Sequence, residues 1–200
     1  SERFLRNIIV DKEQLLNPTP FIQSTFNTVG GQIALLRHNH CYNVTFVNRS
    51  HSFEDALLDA MMRIEDGESS NLLVGAFDEQ TASQHRIMER MGTFRGVEDG
   101  EGSVFVHLKA EASEYSLAQI SAIDFPAHTL SEQECRTLYL SGDKGELLYN
   151  SYREFGLFPT ASAQTLAIAV EKICQGAKEV VIYNEYFGAT PAVVKVQCVG

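Results

Sequence analysis

Ser50 and His51 stand together where an extended, β-branched run gives way to a helix-start signal, and a hydroxyl beside an imidazole is a pairing that could do covalent chemistry. A serine hydroxyl is a poor nucleophile at neutral pH without an adjacent base, and the field of a helix N-terminus contributes only about 1 kcal/mol where many are needed. A neighbour on the first turn of a helix points away, and a triad also needs an orienting carboxylate. Ser50 therefore reads first as a helix-start residue. His38 and His40 flank Asn39 at a helix end, where an imidazolium suits the negative end of the dipole ahead of any metal role. His85, His107 and His128 stand alone, as surface or hydrogen-bonded histidines do. Cys41, Cys135, Cys174 and Cys198 show neither C-x-x-C nor Cys/His zinc spacing and read as buried free thiols. Three acidic groups (Asp78 with Glu79; Glu65, Asp66 and Glu68; Glu98, Asp99 and Glu101) are expected on solvated faces or loops. Gly100-Glu101-Gly102 lacks the full dinucleotide or P-loop pattern. No metal and no cofactor is expected.

The chain that must position these groups has 200 residues, long enough for one large domain or two small ones without metal or disulfide staples. It is 44% hydrophobic and 21% charged, the composition of a chain that buries a core. Sixteen Lys and Arg against 26 Asp and Glu give a formal charge of -10, which disfavours a nucleic-acid backbone as partner. No apolar run approaches the roughly 18 residues of a membrane span and no signal-peptide pattern opens the chain, so the expectation is a soluble, cytoplasmic protein. The chain starts at Ser1 without Met and enters a helical pattern at once, through Phe4, Leu5, Ile8 and Ile9, as a piece of a longer gene product would.

Prolines at Pro18 and Pro20 break that pattern. A helix is expected over 25–38, with Val29, Ile33 and Leu36 on one face and Gly30-Gly31 allowing a close approach to its backbone. Residues 42–47 read as a strand. Ser52 with Asp55 opens a helix that runs to about 66 and carries a stripe wide enough for a buried helix. The continuous apolar run 72–77 reads as a strand covered on both faces. A polar helix follows over 81–91, then strands at 103–108 and 116–123 as a hairpin. Phe125-Pro126 marks the best boundary, dividing the chain into 1–124 and 125–200. Beyond it come a short acidic helix near 131, a strand at 137–140, helices at 146–154 and 160–175, and strands at 180–184 and 192–198. The alternation of strands and helices argues for a layered α/β fold with parallel pairing.

An internal repeat strengthens this reading. Sliding the chain by about 109 positions sets Leu57 on Leu166, Ala60 on Ala169, Ile64 on Ile173 and Gly67 on Gly176, with Leu72 and Leu73 over Val181 and Ile182. Each half holds a strand, a buried helix ended by Gly, and an apolar strand.

The two halves together resemble the thiolase-like fold of the β-ketoacyl synthases. The run from Tyr42 to Ser52, followed by Ala56 and Ala60, is similar to that family's strand, nucleophile turn and buried helix. The run from Leu72 to Glu79 resembles its next core strand. Asp99 to Ser103 resembles the approach to its hairpin, and Phe187-Gly188-Ala189-Thr190 resembles the end of its C-terminal glycine-rich loop. More narrowly, the stretches Asn17 to Ser24 and Asn27 to Gln32 look like short bacterial ketosynthase-like proteins of aryl-polyene and related polyketide pathways.

The resemblance implies a decarboxylating condensation that needs a Cys at the start of the first buried helix and two His in the C-terminal half. The nucleophile slot falls on Ser50 and the histidine slots on Ser141 and Leu157, so all three lack the family's chemistry. The leading expectation is a catalytically silent subunit resembling the chain-length-factor partners of type II polyketide synthases. It would form a homodimer, or a heterodimer with an active ketosynthase, with an acyl carrier protein as a further expected partner. Phe26, Val29, Ile33 and Phe46 fall at the family's dimer contact, and Phe187 to Thr190 at its acyl pocket. The alternatives are a 3-oxoacyl-[acyl-carrier-protein] synthase with residual acyl transfer through Ser50 or Cys41, and a stand-alone acyl- or carrier-protein-binding module. Full condensing enzymes carry further strands and a helix before the point where Ser1 begins. The first half is therefore expected to lack part of its sheet, with another chain covering the edge.

Overall fold

The computed structural model describes residues 2–12, 14, 17–94, 97–128, 154–185 and 190–200. They fall in two compact units, Ser1–Val47 and Asn48–Gly200.

The first unit is helical: α1 spans Glu2–Val10, α2 Thr19–Ile22 and α3 Thr28–Leu36. The prolines that break the opening pattern also start α2, since Pro18 takes its N-cap and Pro20 its first turn, where a missing N–H costs nothing. Phe4 and Phe21 meet with ring centroids 5.3 Å apart. Helix α3 is shorter than the expected 25–38. At its start the hydroxyl of Thr28 donates to the Ile22 carbonyl (2.6 Å) and lies 2.9 Å from that of Thr25, which holds 25–27 as a turn. At its end His38 takes a left-handed φ of 49°, and Asn39 N donates to Ala34 O (2.8 Å), the closing pattern of a Schellman turn. Close approach is realised at Gly30, where Asn43 Nδ2 donates to the Gly30 carbonyl at 2.9 Å; a Cβ there would lie 2.8 Å from Asn43 Oδ1. Gly31 has open space instead. Residues 42–47 form no strand. Strand propensity expresses fit to a half-buried pleated surface, and no described residue of this unit is buried.

In the second unit a 3-10 turn, Arg49–His51, leads into α4 (Ser52–Glu65), followed by β1 (Asn71–Asp78), α5 (Ala82–Arg90), β2 (Gly102–Lys109) and β3 (Gln119–Asp124). After the expected elements near 131 and at 137–140, and all but the last residue of that at 146–154, which lie outside the described residues, come α6 (Ala161–Cys174), β4 (Glu179–Asn184) and β5 (Ala192–Gln197). The layered α/β reading holds, but the pairing differs from expectation. All the strand ladders among the described residues are antiparallel, in two sheets ordered β1-β2 and β3-β5-β4. Alternation implies parallel strands only when the intervening helix packs back on the sheet as a crossover. Here α4 packs on β1 and α6 on β2, β4 and β5. The expected hairpin of β2 with β3 does not form either: β3 crosses to pair with β5, so that Ile120 faces Val196.

One core joins both sheets to both helices. It holds Phe53, Leu57 and Ala60 of α4; Val74 and Ala76 of β1; Ala163, Leu166, Ala169 and Ile173 of α6; and Val180, Ile182, Val194 and Val196. The repeat is visible in it, since Leu57 and Leu166 are both essentially inaccessible. Both helices also end in the same way. Gly67 (φ 72°) and Gly176 (φ 107°) are left-handed, their N–H groups donate to Ile64 and Ile173, and the next residues' N–H groups donate to Arg63 and Lys172.

Two burial expectations are corrected. The stripe of α4 is narrower than its composition suggests, with Met62 54% exposed. Strand β1 is covered on one face: Val74 and Ala76 are buried while Leu73 and Phe77 are exposed, beside the Phe105 ring that lies over Gly75. Among the described residues no helix of this unit packs on that outer face, so the run 72–77 reads as doubly covered from its composition alone.

Candidate functional site

The turn that carries Ser50 is closed by side chains on either side of it. Ser52 Oγ accepts from Asn48 N and donates to Arg49 O, both at 2.9 Å, and Asn48 Nδ2 donates to Asp55 Oδ2 at 2.8 Å. The Ser52–Asp55 signal thus marks the helix start correctly but works backwards, gripping Asn48; α4 has no side-chain cap bond at its N-cap, His51. The Ser50 side chain lies outside the described atoms.

His51 reaches across the chain. Its Nε2 is 2.5 Å from the carbonyl oxygen of Thr190, a contact that requires the proton on Nε2, and its ring meets Phe125 edge-on at 5.3 Å. Of the loop residues singled out by resemblance, Thr190 is therefore brought to the Ser50–His51 turn; Phe187, Gly188 and Ala189 lie outside the described residues, as does Ser141. One turn into α4, Glu54 is fully buried and its Oε1 accepts from Asn184 Nδ2 at 2.8 Å. Burial pushes its carboxyl above the ordinary carboxylate range, against the opposing influence of the neighbouring Ser162 hydroxyl, the Asn184 amide and His51. Sequence reasoning missed this residue, although its position on the face of Phe53, Leu57 and Ala60 was the available signal.

Leu157, the second histidine slot, is fixed in a different neighbourhood. Its N–H donates to Glu98 O (2.8 Å), its carbonyl accepts from Gly100 N (3.3 Å), and Asp99 and Leu157 form a parallel bridge. The crossing is so tight that a Cβ on Gly100 would lie 2.1 Å from Phe155 O, and one on Gly156 2.3 Å from Asp99 O. This explains the glycine of the Gly-Glu-Gly segment without a phosphate. Beside it Asp78 Oδ2 accepts from both the N–H (2.9 Å) and the hydroxyl (2.6 Å) of Thr160, the residue before α6. Burial raises the Asp78 carboxyl, and the two Thr160 bonds oppose it. The hollow between Asp78, Gln84, Phe94, Gly100 and Leu157 has room for about one water.

The acidic groups are more engaged than solvated loops would be. His85 Nδ1 pairs with Asp99 Oδ2 at 2.6 Å and stacks on Phe94, while Gln80 bonds Asp99 through its side chain and Glu101 through its N–H. Arg63 joins Asp59 and Glu68. His38 and His40 are both exposed. Among the described residues no group of three or more potential ligands gathers as a metal site would require. Cys41, Cys174 and Cys198 are free but exposed, correcting the expectation of burial: Cys41 lies in the unit that buries nothing, and the other two follow the inward-facing ends of α6 and β5. Cys135 lies outside the described residues. No described helix is long and apolar enough to cross a membrane.

Two sheets close on two buried helices that end alike, a layered α/β core whose solved likenesses have the thiolase-like ketosynthase fold. Residues 3–138 match the family model "Beta-ketoacyl synthase, N-terminal domain", and the chain belongs to that family. A ketosynthase complex described as "AntDE:AntF (apo): type II PKS acyl-carrier protein in complex with its ketosynthase bound to the hexaketide" contains a chain similar to this one. The TM-score is 0.77 at 12% identity, over 99% of this chain and 70% of that one. A β-ketoacyl synthase from Burkholderia phymatum STM815 gives 0.72 at 12% identity, over 99% and 72%. The ishigamide ketosynthase/chain length factor gives 0.66 at 17%, over 98% and 68%. Likeness at such identities speaks to fold. No curated protein matched the sequence.

Proposed function

We propose that this chain is a ketosynthase-like subunit without condensing chemistry, acting in an aryl-polyene-type polyketide or fatty-acid pathway as a chain-length-factor-like partner of an active ketosynthase. The observation that carries the reading is Leu157. An alkyl side chain at the family's second histidine slot offers no imidazole to stabilise the charge left by decarboxylation, and its backbone is pinned to Glu98 and Gly100. Ser141 and Ser50 at the other slots are of the wrong type for the same chemistry. His51 does not rescue Ser50, since its Nε2 is spent on Thr190 O.

Dimerisation would use Phe26, Val29 and Ile33, which are exposed, and Phe46, which is half-buried. The halves 1–124 and 125–200 are divisions by repeat rather than by compactness. A cytoplasmic protein without metal or cofactor, in reach of an acyl carrier protein, fits this role. Mass spectrometry of the chain after incubation with acyl-CoA and acyl carrier protein tests it. The expected result is no adduct, together with co-purification of a Cys-containing ketosynthase encoded alongside; a covalent acyl group on Ser50 or Cys41 would overturn it and favour a residual acyltransferase.

A further inference from the structure

Glu54 projects from the first turns of α4 into the core and is fully buried. Its Oε1 has a donor in Asn184 Nδ2, at the end of β4. Its Oε2 has no partner in hydrogen-bond geometry, and neither has Oγ of Ser162, which faces the same carboxyl from the first turn of α6 and is itself 5% exposed. A carboxylate here would have the Asn184 amide and the Ser162 hydroxyl as donors but no cation to offset its charge in a fully buried site, an unfavourable arrangement. A carboxylic acid has a proton to give, and a hydroxyl oxygen can accept it.

We propose that Glu54 is a positioning residue held as a neutral acid, donating its Oε2 proton to Ser162 Oγ while Oε1 accepts from Asn184, so that one proton clasps α4 to α6 and β4. The clasp sits directly behind the turn whose His51 holds the Thr190 carbonyl. Among the described groups facing Glu54, α6 supplies the hydroxyl of Ser162, β4 the amide of Asn184, and the turn before α4 the one titratable neighbour, His51. The sign follows from burial, which raises the folded value above the unfolded one. The clasp is complete below the ordinary glutamate range of about 4.3 and is lost as pH rises through the raised folded value.

The test compares denaturant midpoints of the full chain and of Glu54→Gln between about pH 5 and pH 9. Gln reproduces both hydrogen bonds without a titrating proton. The wild-type midpoint is expected to fall relative to that of the variant as pH rises; parallel profiles would overturn the proposal. Should the variant fail to fold, wild-type chain labelled at the glutamate side-chain carboxyl carbon decides it. At about pH 6, where an ordinary glutamate is ionised, the folded chain is expected to show one neutral-acid resonance that disappears on unfolding. A fully ionised set of glutamates would refute the clasp.

Discussion

The side chains that organise this molecule are acceptors rather than nucleophiles. Asp99 takes bonds from His85 and Gln80, and the His85 bond, ahead of its other surroundings, holds its carboxyl below the ordinary carboxylate range. A lowered carboxylate contributes stability that is present above the ordinary range and lost as pH falls through the lowered value. Replacing His85 by Ala is therefore expected to move the Asp99 titration upward, and side-chain carboxyl NMR against pH reads that shift directly; an unmoved Asp99 would show that other bonds set its value. The roles of Asp99, Asp78 and Glu54 were not legible in the sequence. An acidic residue looks alike whether solvated or engaged, and what decides between them arrives from residues as distant as Thr160 and Asn184.

The helices and strands were largely legible, because their signals are local. Helices α4, α5 and α6 and strands β1, β2, β4 and β5 fall within a few residues of where periodicity, Ser52 and the two glycines place them. What failed was pairing, since register and partner are settled by packing of the two central helices and not by any run of five residues; residues 42–47 failed for the same reason, having propensity without a surface. The helix ends offer a controlled comparison. A Cβ on Gly67 or Gly176 meets nothing within 4 Å, so Ala there pays only for a left-handed backbone, about 1–2 kcal/mol. Gly31 is equally open but lies inside α3, where Ala is expected to stabilise by up to about 1 kcal/mol. Thermal unfolding of the three variants checks both signs together.

At the scale of the whole chain, the buried residues begin at Phe53, and among the described residues none precedes it. A fragment of residues 48–200 is expected to unfold cooperatively with a midpoint close to that of the full chain, measured by circular dichroism in denaturant; a large drop would assign stability to residues 1–47. The halves of the repeat behave differently. Residues 1–124 alone would leave Phe53, Leu57 and Val74 without α6, β4 and β5, and are expected to stay unfolded.

The bonds that lock the second unit join Asp78 to Thr160, Glu54 to Asn184 and His51 to Thr190, spanning 82, 130 and 139 positions. During synthesis, α4 leaves the ribosome long before any of these partners exists, carrying an acid that must end inside the core. The first half of the unit is therefore expected to stay open to solvent until α6, β4 and β5, which supply the rest of its core, have emerged.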